Sequence, residues 1–122
     1  NDPIKIFPLR KLALNLYQIV GADDSINRVG MDLVDDFLSV RDPKGARQIC
    51  ERFLLPHAKT YEVMIPHLFV RSQYAVVLAR CGEHEAAELE LSKLREFYGG
   101  LDTKAREGLL LNEALVKKAK LS

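Results

Sequence analysis

Apolar residues recur along this chain at intervals of three or four residues, in segments that end at glycine or proline. Between Pro8 and Gly21 this spacing is shown by Leu9, Leu12, Leu16, Ile19 and Val20. Such a pattern places the apolar side chains on one face of a helix. No stretch alternates polar and apolar residues between the Asn-Gly or Asp-Gly turns that are typical of hairpins. The sequence therefore predicts an all-α protein.

The second and third predicted helices each begin at a capping residue. Ser25 is expected to cap the second helix, because its hydroxyl can accept a hydrogen bond from the first turn. The third helix begins at Asp42-Pro43, where the carboxylate can cap and the proline costs no hydrogen bond at the first helical position. Two prolines bound residues 56–66, for which we predict only a short helical turn or an insertion loop.

Three more helices are predicted in the second half of the chain. The fourth covers residues 66–81 and ends at Gly82, the fifth covers residues 83–98, and the sixth begins at Asp102 as its N-cap. The residues of the sixth helix expected to face inward are Ala105, Leu109, Leu110, Ala114 and Leu115. About six helices with short connections predict a stack of antiparallel hairpins.

Length and charge narrow the class of protein. The chain has 122 residues, enough for one domain of roughly 100 to 200 residues, and because it starts at Asn1 without methionine we expect a piece of a longer protein. Eighteen basic and 17 acidic residues give a net charge of +1, which makes nucleic acid an unexpected partner. No apolar stretch is long enough for a membrane helix. With two cysteines expected to be reduced, a cytoplasmic protein is predicted.

Internal repetition gives the fold a more specific interpretation. The clearest unit spans Leu68 to Leu101. Its small residues are Ala75 and Ala87, its turn residue is Gly82, and its large apolar residues are Tyr74, Leu78, Leu91 and Leu94. This unit resembles a tetratricopeptide repeat. The small residues would let two helices approach closely, and Gly82 would supply the turn. A fainter copy spans residues 27–60, so the resemblance implies a short right-handed solenoid over residues 1–122.

The resemblance implies a non-catalytic module that binds a peptide or a partner helix in a groove. The residues expected to face this groove are Phe69, Ser72, Val76, Ala79 and Arg80. One subset of the family clamps a carboxylate with lysine, arginine and asparagine, but Ser72 and Val76 stand at those positions here, so a less charged ligand is implied. Arg80 is the predicted specificity contact, with a simple helix-ending charge as the alternative.

Other functions were weighed against this one. The spacing of Cys81 and His84 is that of half a zinc site, but no second half is evident, and His57 and His67 lack a partner at a catalytic spacing. We therefore predict no enzyme, no metal and no cofactor. The alternative is a regulatory or dimerisation domain of a larger transcription regulator or enzyme, in which case a homodimer is the expected partner.

Overall fold

The computed structural model describes residues 3–57 and 65–121, and every regular element among them is helical. The prediction of an all-α protein is confirmed for this part of the chain. Contacts divide the chain into two compact units, residues 1–57 with α1 to α3 and residues 58–122 with α4 to α6. The helices are α1 Pro3–Val20, α2 Asp23–Ser39, α3 Pro43–Ile49, α4 Ile65–Arg80, α5 His84–Arg95 and α6 Thr103–Leu121.

α1 and α2 form a hairpin with its corner at Gly21. Gly21 has a φ of +72°, which glycine adopts without steric cost, and the N–H of Ala22 donates to the C=O of Tyr17 at 2.9 Å. The predicted end of the first helix is therefore confirmed. The predicted cap of the second helix is wrong, because α2 begins at Asp23 without a side-chain cap. The corner is so short that Ser25 already lies inside the first turn.

Asp42 caps α3 as predicted. Its Oδ1 accepts a hydrogen bond from the N–H of Gly45 at 3.0 Å, and Pro43 occupies the start of the helix. After α3 the helix widens into a π-helical turn, Cys50–Leu54, and then tightens into a 3₁₀ turn, Leu55–His57.

Pro56 gives a physical reason for this irregular end. Proline has no N–H, so it cannot donate to the C=O of Arg52, four residues earlier. The Nε2 of Gln18 in α1 donates to that carbonyl at 3.0 Å, and the guanidinium of Arg52 donates to Oδ1 of Asn15 at 3.3 Å. α1 is thus joined to the end of the third helix at the carbonyl that lacks its usual helical donor.

Two glycines let the helices of the first unit approach closely. A Cβ on Gly30 would lie 2.6 Å from Cδ2 of Leu54, and one on Gly45 would lie 2.6 Å from Cδ1 of Phe37. Both distances are well inside van der Waals contact, so a larger side chain at either position would have to displace the side chain of Leu54 or Phe37. The fully buried residues of this unit are Leu14, Ile26, Leu33, Val34, Ala46, Cys50 and Leu54.

The predicted helical turn between Pro56 and Pro66 falls mostly on residues 58–64, which lie outside the described residues. α4 begins at Ile65, one residue before the predicted start.

α4 and α5 form a second hairpin, with its corner at Gly82. Gly82 has a φ of +86°, and the N–H of Glu83 donates across the corner to the C=O of Leu78 at 2.9 Å. Ala75 in α4 and Ala87 in α5 are both fully buried. Both alanines are therefore covered within the second unit, and whether they set the spacing of a repeat stays a prediction.

α6 begins where the sequence predicted but turns a different face inward. Oδ1 of Asp102 accepts a hydrogen bond from the N–H of Ala105 at 2.8 Å, which confirms the N-cap. Ala105 and Leu109 are buried as expected, but the next buried apolar residue is Val116. The members of the predicted set that are exposed instead are Leu110, Ala114 and Leu115.

Candidate partner-binding surfaces

The predicted groove residues lie on α4, and most of them are inside the second unit. Ser72 is fully buried, and Val76 and Ala79 are buried with it. Phe69 is half-buried, and Arg80 is exposed at the end of the helix. Of the predicted set, Arg80 alone is fully accessible to a partner in the described structure, and its role as a specificity contact stays a prediction.

The reason for this burial is that α6 of the same chain covers this face of α4. A Cβ on Gly108 would lie 2.5 Å from Cε1 of Phe69, so the ring packs directly on the α6 backbone. Nearby, Nδ2 of Asn112 donates to Oγ of Ser72 at 2.7 Å, and the same hydroxyl donates to the C=O of Phe69 at 3.0 Å. The hydroxyl of Ser72 is therefore satisfied within the protein and does not need a ligand.

A different surface is exposed on α1. Its five large apolar residues that recur at helical spacing are 54–80% exposed. We call them the α1 stripe: Leu9, Leu12, Leu16, Ile19 and Val20. The sequence pattern suggested that this face would be buried, but α1 turns it away from α2.

The opposite face of α1 packs against α2. Leu14 lies about 200° around the helix from Leu12 and from Leu16 and is fully buried. The ring of Phe7 stacks at a tilt on that of Phe37, with the ring centroids 4.1 Å apart. α1 is therefore held in the first unit by one apolar face while it exposes another.

Charged contacts at the edge of the buried face fix this orientation. The guanidinium of Arg10 forms an ion pair with the carboxylate of Asp36 in α2. The ammonium of Lys11 lies 5.8 Å from the centroid of the Phe37 ring, within the range of a cation–π interaction. These two basic residues lie on the α2 side of α1, and the α1 stripe on the other side consists of leucine, isoleucine and valine.

A polar cluster joins α5 to α6 in the second unit. Glu113 of α6 is buried, and its Oε1 accepts a hydrogen bond from Nε of Arg95 at 3.0 Å. The ammonium of Lys117 lies 3.8 Å from the same oxygen. Burial raises the pKa of the Tyr98 phenol at this site, and the hydrogen bond that Arg95 donates to Glu113 raises the pKa of the Arg95 guanidinium. A second carboxylate, that of Glu88, lies 3.9 Å from Arg95, so two carboxylates balance the two cations and the cluster holds α5 and α6 together.

A shallow depression is lined by Gly82, Glu83, His84, Glu85, Glu88 and Lys120. Among residues 3–57 and 65–121, no three histidine, cysteine or acidic side chains are grouped so that they could hold a metal ion. Within those ranges no helix combines the length and the apolar character that crossing a membrane requires.

Comparison of the chain with known protein families, with characterised proteins and with solved structures finds no match. The resemblance to a tetratricopeptide repeat therefore depends on the spacing of residues within 68–101 and stays a prediction.

Proposed function

We propose that this chain is a non-catalytic protein–protein interaction module and that its binding surface is the α1 stripe. The occupant of that surface is a helix of a partner protein, which lays its own apolar face along α1. The position differs from the α4 groove predicted from the sequence, because α6 already covers that face of α4.

The observation that carries the proposal is that α1 has two apolar faces. The face with Leu14 is buried in the first unit, whereas the face with the α1 stripe is exposed. A helix with apolar residues all round is normally covered all round. Fully burying a leucine-sized side chain is worth about 1.5–3 kcal/mol, so covering the exposed part of the α1 stripe is worth roughly 5–10 kcal/mol. Association costs about 4–15 kcal/mol in lost freedom. The partner's apolar face contributes a similar amount, so the combined gain of roughly 10–20 kcal/mol exceeds this cost by a few kcal/mol, which suits a reversible adaptor.

A tetratricopeptide-like arrangement of the helical hairpins is part of the proposal. Its support is the α4–α5 hairpin, in which Ala75 and Ala87 are fully buried and Gly82 has a positive φ. Modules of this kind bind partners by shape, which fits a chain for which no catalytic residue, metal or cofactor is proposed. We propose no membrane or nucleic-acid partner.

Photo-cross-linking tests the proposed surface. Benzoylphenylalanine placed at Leu16 in the purified chain, incubated with an extract or with itself, is expected to yield a covalent adduct with a polypeptide. The matched control carries the same group at Leu89, which is 57% exposed on α5 and should yield no comparable adduct. Adding Leu12→Glu to the Leu16 probe should remove the adduct. If the probe at Leu16 labels no more polypeptide than the probe at Leu89, the proposed function is wrong.

A regulatory or dimerisation domain is the second candidate. The observation that favours it is the uncharged character of the α1 stripe, because two such stripes can face each other without opposing like charges.

A further inference from the structure

We infer that the helix which covers the α1 stripe is α1 of a second copy, packed antiparallel about a two-fold axis. This inference rests on the proposed function and names the partner. A two-fold axis makes a surface meet itself, so the surface has to be complementary to its own rotated copy. The α1 stripe meets that condition in its shape, in its charge and in its area.

The spacing of the stripe is nearly the same when read in either direction. An axis that passes α1 near residue 14 places Leu12 opposite Leu16 of the other copy and Leu9 opposite Ile19 of the other copy. The spacings of three, four and three are also those of the apolar seam in packed helix pairs. Each large side chain then meets another of similar size. In a parallel pair, Leu9 would instead lie opposite Leu9 of the other copy, and Ile19 opposite Ile19 of the other copy.

The charges at the ends of the stripe favour the antiparallel arrangement. The stripe is followed at once by an acidic corner, where Asp23 and Asp24 are exposed at the start of α2. The same axis places the corner of one copy beside the first turn of α1 of the other copy. A parallel pair would place two acidic corners side by side.

The area is sufficient for a weak but specific dimer. With about 100 Å² of apolar surface for a leucine-sized side chain, the exposed parts of the two stripes together remove about 650 Å² from water. Apolar atoms make up about 65% of a homodimer interface, so the total is about 1,000 Å², which is the lower limit for a biological interface. The expected dissociation constant is therefore in the range of roughly 1 to 100 µM.

Sedimentation equilibrium tests the dimer. The chain is expected to show a monomer–dimer equilibrium between about 1 and 100 µM, and Leu16→Glu should raise the dissociation constant about 100-fold, because it buries a charge in the apolar seam. Leu111→Glu is the matched control, since Leu111 is 63% exposed on α6 and is not part of the α1 stripe, and should leave the equilibrium unchanged. Circular dichroism of the variants checks that the exposed substitution leaves the helices intact. A monomer throughout this range, or a dimer that survives Leu16→Glu, overturns the inference.

Disulfide trapping tests the antiparallel direction. Leu12→Cys and Leu16→Cys are made as separate proteins of different tag length, with Cys81→Ser in both so that the half-buried native thiol does not react. After mixing and mild oxidation, the heterodimer of the two variants should form faster than either homodimer. Faster homodimers would mean that the helices run parallel and that the inference is wrong. A monomeric chain whose Leu16 probe still labels a foreign polypeptide would overturn this inference and leave the proposed function in place, whereas the absence of any adduct would refute both.

Discussion

Replacing Gly108 by alanine should destabilise the protein, although the same change stabilises most helices. In an ordinary helix, alanine gains about 1 kcal/mol over glycine. Here the added Cβ would lie 2.5 Å from Cε1 and 2.7 Å from Cζ of Phe69, about 1 Å closer than a normal carbon–carbon contact. Overpacking of this kind costs about 1–3 kcal/mol. The net change expected for Gly108→Ala is therefore a loss of up to about 2 kcal/mol.

The sign of the effect should depend on the Phe69 ring, and a double-mutant cycle tests this. In a Phe69→Ala background the ring is absent, so Gly108→Ala should gain about 0.5–1 kcal/mol from helix propensity alone. The coupling between the two sites is then about 1–3 kcal/mol. The chain contains no tryptophan whose fluorescence could report unfolding. Urea unfolding is therefore followed by the helical circular dichroism signal, and the free energies are compared between variants that share the same dependence on urea concentration.

The control is Gly99→Ala, because a Cβ at Gly99 would meet nothing within 4 Å. No overpacking is expected at that position. If Gly108→Ala stabilises the parent protein, or changes stability equally with and without Phe69, then α6 does not lie as closely on α4 as described here. The α4 face with Ser72 and Val76 would then be open to a partner after all.

Two further variants test local interactions. Asp102→Ala removes the N-cap of α6 and should cost about 1 kcal/mol in thermal unfolding, and Asp102→Asn, which keeps an acceptor, should restore most of it. Asp35→Asn should stabilise the protein at pH 7, because burial, Asp32 and Asp36 raise the pKa of the Asp35 carboxyl above 3.8 and so make its charged form unfavourable in the folded state. Because this group is only partly covered, the gain is about 0.3 kcal/mol. It should shrink as the pH falls through the folded pKa and vanish below 3.8. An equal gain at pH 3 would contradict this cause.

The ends of the helices could be predicted well because they depend on neighbouring residues. Gly21 and Gly82 take positive φ values where the sequence places helix ends, and Asp42 and Asp102 cap helices through N–H groups three residues later. Ser25 was the exception, since the corner before it closes without any cap. Each of these interactions is made within about five residues, so the sequence pattern contains most of the information needed.

The candidate surfaces could not be predicted from the same pattern. α1 has two apolar faces, and periodicity alone does not say whether Leu14 or the α1 stripe meets α2. On α4 the groove-facing set was predicted as open, because no sequence pattern indicates that Asn112 would reach Ser72 across 40 residues. Gly108 was the available signal, since a glycine within a helix indicates a close neighbour, but it does not say which helix that neighbour is on.

Local sequence patterns are enough to show that the chain is helical, where most of its helices begin and end, and which residues are small enough for close packing. The tertiary structure alone decided which apolar faces are covered. The physical reason is that hydrogen bonding and φ preferences act within one helical turn, whereas burial depends on which distant segment reaches a face first. On α4 that segment is α6. On the outer face of α1 no described part of the chain does so, and that exposed face is where we propose that a second copy binds.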